Sequence, residues 1–207
     1  MEYFTIDREY RTELVIKKSK FISTFIPVQN QDEAVTNLNR IRKEFYDATH
    51  NCWAYKIFSY PNHLLQYSDD GEPARTAGLP IAKNIEGRDI FNVLLVVTRY
   101  FGGIKLGVGG LIKAYSDSAK QVIEKSVLIK MKEMDILAIE FDHQFTGNIM
   151  HIVKEYNLKI IEQLYSDKVN LKVLCEPLYT EKIKTVVINS TAGKVVAEFV
   201  KKDFIRV

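Results

Sequence analysis

The sequence predicts an α+β protein of two domains, and three observations carry that expectation. Runs rich in β-branched and aromatic residues fill much of the first third of the chain, interrupted by one stretch of helical period. A continuous apolar run, NVLLVVTRY (92–100), leads through a glycine-rich loop into a long helical pattern. Residues 136–204 then spell strand, helix, strand, strand, helix, strand.

Taken in order, RTELVIK (11–17) and KFISTFIPV (20–28) read as strands. Asn30 and Glu33 resemble a capping box, and Ala34, Leu38, Ile41 and Phe45 recur at helical spacing, so 31–47 reads as an amphipathic helix. NCWAYKIF (51–58) alternates as a strand, and HLLQYSDD (63–70) is a shorter one ending at the Asp70-Gly71 turn signal. Pro73, Gly78 and Pro80 break up 73–87, leaving a short helix near 81–86. The run 92–100 has the continuous apolar character of a strand buried on both faces. Leu111, Tyr115, Ser118, Val122 and Ser126 line one face of a helix over 109–127.

KMKEMD (130–135) is polar and reads as the domain boundary, giving domains 1–130 and 131–207. Strands at 136–142, 158–166, 168–176 and 193–204 enclose two helices, with Thr146 and Thr180 as caps and Gly193 as the stop. That order is the ferredoxin-like βαββαβ pattern.

The composition is that of an ordinary soluble protein, 46% hydrophobic and 27% charged over 207 residues. No apolar run reaches the roughly 20 residues needed to span a bilayer. The start, MEYFTIDREY, lacks the basic and apolar segments of a secretory signal. Cys52 and Cys175 stand apart, outside any paired motif, which fits a reduced cytoplasmic setting and buried thiols. The net charge of +3 falls entirely within 1–130, so attraction to nucleic acid is expected there.

Two segments could carry chemistry. RYFGGIKLGVGG (99–110) holds five of the ten glycines. A glycine-rich turn from a buried strand into a helix can aim several amides at one anion, with the helix dipole assisting. Arg99, Lys105 and Lys113 would add charge, Gly102, Gly103, Gly107, Gly109 and Gly110 would admit a ligand's backbone, and Tyr100 or Phe101 would stack on a base. The loop matches neither the P-loop nor the dinucleotide fingerprint, so close helix–sheet packing stands beside the phosphate reading. YSDDGEPARTAGLP (67–80) places Asp69, Asp70 and Glu72 within four residues. They could hold Mg²⁺, or Asp70 or Glu72 could pair with Arg75 or Arg99 and fix the two loops together. His50 and Cys52 share a strand face, a poor arrangement for a nucleophile pair.

SDDGEPARTAGLPI (68–81) and VVTRYFGGIKLGVGGLIKAY (96–115), with KSKFISTFIPV (18–28) and HNCWAY (50–55), resemble the YigZ/IMPACT family. Arg75 departs from the small residue, often Gly, common in that family. The resemblance implies a first domain like the second domain of ribosomal protein S5. It implies a second domain like the last domain of elongation factor G. Eukaryotic members regulate translation through a starvation-responsive kinase and carry an added RWD domain. Strands starting near residue 11 leave no room for that domain, so the kinase role is not expected here.

The resemblance brings no established catalytic activity. The resulting expectation is a non-catalytic RNA- or ribosome-binding regulator of translation with no required cofactor. The alternatives are a Mg²⁺-dependent enzyme acting on a phosphorylated small molecule or nucleotide, with Asp69, Asp70 and Glu72 as ligands, and a protein-binding module docking its partner on the acidic turn.

Overall fold

The structure is a computed structural model describing residues 1–60 and 62–207. The chain is α+β with antiparallel sheets and forms two compact units, residues 3–130 and residues 131–207 together with Met1 and Glu2.

In the first unit, β2 (Tyr10–Ile16), β3 (Ser19–Pro27), β4 (His50–Ile57), β5 (Leu64–Ser68) and β6 (Val93–Tyr100) form an antiparallel sheet ordered β2-β3-β6-β4-β5. Helix α1 (Gln31–Glu44) packs on one face, and α2 (Gly78–Glu86) and α3 (Gly107–Lys125) pack on the other. The central strand explains the apolar run. Successive β6 side chains point to opposite faces. Val93, Leu95 and Val97 join the α2/α3 core, whereas Leu94 and Val96 join Ala34, Leu38 and Ile41 of α1. Ser118 of α3 is buried and shares a 2.7 Å hydroxyl hydrogen bond with Ser23 of β3, so a polar residue on the helix's inner face is satisfied.

Asn30 caps α1 by accepting a hydrogen bond from the Glu33 amide, and Glu33 reaches back to the amide of Gln29. Two helices start earlier than expected. Helix α2 begins at Gly78 because the Asp69 carboxylate accepts from the Ala77 and Gly78 amides. Helix α3 begins at Gly107, two residues before the expected start.

In the second unit, β7 (Leu128–Phe141), β8 (Lys159–Tyr165), β9 (Val169–Cys175) and β10 (Ala197–Arg206) are antiparallel in the order β10-β7-β9-β8; β1 spans Glu2–Ile6 at the start of the chain. Helices α4 (Thr146–Glu155) and α5 (Thr180–Ser190) cover the core face with Ile149, Ile152, Ile183 and Val187.

Three expectations are corrected here. The segment 130–135 is strand, because β10 follows β7 from Met131 to Ile139 and engages its backbone. The units part between Lys130 and Met131, at the expected position, and that position lies inside β7. Thr146 and Thr180 are the first helical residues, not the caps; their hydroxyls donate to the His143 carbonyl and the Asp135 carboxylate. Helix α5 ends at Ser190, and Gly193, at φ +77°, closes the following turn through its amide bond to the Ile188 carbonyl. No helix among the described residues is long and apolar enough to cross a membrane.

Candidate functional site

Strand alternation selects the residues of the site. Arg99 continues the Val93-Leu95-Val97 face of β6 and lies under α3; Tyr100 belongs to the opposite face. His50 follows the same rule on β4, sharing the α2/α3 side with Cys52. Above them lies a cavity of about 420 Å³ lined by Thr49, His50, Glu72, Pro73, Arg99 and Phe101, and by Lys105 through Val108 and Leu111. The glycine-rich loop and the acidic turn thus meet at one cleft.

The floor of the cleft is a buried ion pair. Arg99 Nη1 donates to Glu72 Oε1 at 2.5 Å, with the two side chains only 7% and 3% exposed. The same oxygen accepts from the Tyr115 hydroxyl of α3 at 2.8 Å. One carboxylate therefore ties the turn after β5, the end of β6 and helix α3 together. Arg99 Nε is buried and has no hydrogen-bond partner among the described residues. His50 Nδ1 lies 2.7 Å from the Asp70 carbonyl. In the neutral ring Nδ1–H donates to that carbonyl, leaving Nε2 as an acceptor, 4.0 Å from Glu72 Oε1. Cys52 Sγ lies 2.9 Å from the Asp69 carbonyl and 3.3 Å from the Tyr115 hydroxyl, and burial pushes its thiol well above the usual range.

The remaining carboxylates of the turn are engaged by the chain itself. Asp69 accepts from the amides of Arg75, Ala77 and Gly78. Asp70 accepts from the Asn51 amide and pairs with Arg42 at 2.9 Å. Among the described residues no group of three His, Cys, Asp or Glu could hold a metal ion. Arg75 pairs with neither acid through its side chain; it holds φ at +63° and is anchored by its amide.

The five loop glycines do different jobs. A Cβ on Gly102 would fall 2.0 Å from the Lys18 carbonyl carbon, so this glycine admits the protein's own β2–β3 turn rather than a ligand. Gly103 and Gly107 have φ of +81° and +74°, the left-handed region, with open space around them. Gly109 also faces open space, and Gly110 packs on Leu106. The N-cap residue of α3, Leu106, makes no side-chain capping bond, and the helix's first turn has no acidic residue. The first amides of a helix lack intrahelical partners, and of these residues Gly107 and Val108 line the cleft.

Among the expected ligands, Lys105 and Phe101 line the cavity. Lys113 does not; it pairs with Asp117 one turn along α3. Tyr100 donates to Asp47 on the other face. Desolvation, with that carboxylate adding to it, pushes its phenol up to about 12.

Sequence reasoning passed over Lys17 and Lys18. They form the two-residue tip of the β2–β3 hairpin that Gly102 abuts, both exposed and both at positive φ, +45° and +68°. Among the described residues no ion pair engages Lys17, Lys18 or Lys105. The signal was the KKSK run at a hairpin position that favours Asn-Gly.

Residues 17–123 match the Impact N-terminal domain family. The chain is 35% identical over 192 residues to IMPACT family member YvyE of Bacillus subtilis, covering 93% of this chain and 88% of that protein. It is 35% identical over 161 residues to IMPACT family member YigZ of Escherichia coli, covering 76% and 78%. Protein IMPACT-B of Xenopus tropicalis is 41% identical over 93 residues, which span 41% of this chain and 29% of that one. A crystal structure described as that of a hypothetical protein superposes with a TM-score of 0.66 at 26% identity, covering 97% of this chain and 98% of the other. The family match contains the whole cleft, and the chain belongs to the IMPACT family.

Proposed function

We propose that the protein is a non-catalytic, RNA-binding regulator of translation that acts on ribosomal RNA in the cytoplasm. The observation that carries this reading is the convergence of a helix start without a side-chain cap and three lysines free of ion pairs among the described residues. The α3 amides and Lys105 border the cleft, and Lys17 and Lys18 crown the adjoining hairpin. Two lysines held in the left-handed region are costly where Asn-Gly would be relaxed. Such strain at an exposed, charged tip points to a contact made by those side chains.

The fold supports the same reading. The order β10-β7-β9-β8 with both helices on one face fits a ferredoxin-like second unit, and the five-stranded sheet flanked by α1, α2 and α3 fits an S5-like first unit. Both resemble modules of ribosome-associated proteins, which is an argument from analogy.

Filter binding of ribosomal RNA fragments across salt concentrations tests the proposal. Each phosphate neutralised on a single strand contributes about −0.7 to the slope of log K against log salt. Three lysines predict a slope of about −2. Lys105→Ala lowers its magnitude by about 0.7. Salt-independent binding, or none, overturns the reading.

A further inference from the structure

We infer that the cleft seats one unpaired nucleotide of an RNA strand, its phosphate on the α3 amides and Lys105 and its base against Phe101. The inference rests on the RNA-binding reading above and deepens it. A site that held only a phosphodiester backbone would need charge and amides but no apolar wall. This one has Phe101, Leu106, Val108, Leu111 and Pro73 around it. Phe101 and Val108 are 47% and 61% exposed, outlay that the core does not explain. The cavity's volume of about 420 Å³ lies in the range of pockets that enclose a small ligand rather than track a duplex.

The polar groups sort by chemistry. Arg99 lies with its guanidinium carbon 5.5 Å from the Phe101 ring centroid, and the ring is still half exposed. A planar base stacking there would extend a cation–aromatic arrangement that already exists. Arg99 Nε, on a side chain 7% exposed that lines the cavity, is a buried donor with no partner among the described residues. The guanidinium is otherwise held by Glu72 and Ser19, so Arg99 serves the cleft through its place beside Phe101. His50 also lines the cavity, and in its neutral form with Nδ1–H on the Asp70 carbonyl its Nε2 is an acceptor suited to a ribose hydroxyl or an exocyclic amine. Glu72 is the one anion among the described lining residues, and Arg99 and Tyr115 both donate to its buried Oε1. In a duplex each base is stacked on its neighbours and its faces are closed, so recognition by stacking requires a single strand, a bulge or a loop.

The test is fluorescence anisotropy at fixed salt, with a labelled 12-nucleotide single-stranded RNA and the same sequence as a blunt duplex. The single strand binds at least about tenfold tighter. Phe101→Ala loses roughly tenfold or more for the single strand, leaves duplex binding within about twofold, and leaves the salt slope unchanged. Phe101→Tyr keeps the single-strand preference. Equal binding of strand and duplex by the parent protein, with a normal salt slope, overturns this inference and leaves the RNA-binding reading standing. Absence of binding to either RNA overturns both. The comparison of strand with duplex uses the parent protein, so it decides the matter even if Phe101→Ala fails to fold.

Discussion

Replacing Lys17-Lys18 by Asn-Gly separates the stability of the β2–β3 hairpin from its charge. Both lysines sit at positive φ, and Ile16 pairs directly with Ser19, so the connection is a two-residue turn with both central residues left-handed. An L-residue other than Asn or Gly is disfavoured there by about 1–2 kcal/mol. Asn relieves part of that at position 17, and Gly relieves all of it at 18. Gly also enlarges the unfolded ensemble, which offsets about 0.4–1 kcal/mol. The net expectation is a gain of about 1 kcal/mol, or roughly 2–4 °C in Tm for a chain of this size. The same change removes two unpaired cations, so the salt slope for RNA weakens by about 1.4. Calorimetry and filter binding on one preparation measure both. A variant that melts higher and binds less steeply supports the argument. One that melts lower shows that the lysines stabilise their own turn, and unchanged RNA binding removes the hairpin from the interface.

Four further outcomes follow from the cleft and its surroundings. Gly102→Ala forces a Cβ to 2.0 Å from the Lys18 backbone and disturbs the amide's bond to Ser19, so a loss of about 3 kcal/mol is expected, whereas Gly109→Ala meets nothing within 4 Å and gains about 0.5 kcal/mol; thermal melts of the pair should move in opposite directions. Glu72→Gln leaves the Arg99 charge buried without its counter-ion and costs about 3–5 kcal/mol in urea denaturation, and a change below 1 kcal/mol would contradict the buried-pair account. Neither thiol should react with a chromogenic disulfide in the native state, because both are buried and burial pushes both up; rapid native labelling would refute this. Tyr100 is raised in the fold to about 12 from an unfolded value near 10, so the stability tied to its protonated form is complete below pH 10 and lost as pH climbs through 12; urea midpoints of Tyr100→Phe should be less sensitive to pH across that window than those of the parent.

Most strands of the first unit were legible because each carries a local signal. The apolar run 92–100 betrays a strand covered on both faces, and the period of Ala34, Leu38 and Ile41 betrays a helix lying on it. Strand β1 escaped notice because its pairing is non-local and its five residues, EYFTI, carry too little pattern. The segment 130–135 read as a boundary before the strand, not as part of it, because its polar residues suit a strand only once β10 lies beside it.

At the site, the loop was visible but the division of labour among its glycines was not. Gly102 owes its identity to Lys18, more than eighty residues earlier in the chain, which no local reading can reveal. Tyr100 and Phe101 looked interchangeable; strand parity sends Tyr100 to Asp47, and only Phe101 reaches the cavity. Arg75 stood out against the small residue that the resemblance implied, and its φ of +63° gives the reason a residue without Cβ suits that position.

Glu72 already neutralises the strongest cation beneath the cleft. A phosphate arriving there meets a balanced floor, and its attraction comes from main-chain dipoles and surface ammonium groups alone. Single contacts of that type are weak and reversible, so grip has to come from several consecutive nucleotides engaging at once. On the proposed RNA-binding reading, a protein built this way would sample RNA by rapid exchange and linger where the strand lies open.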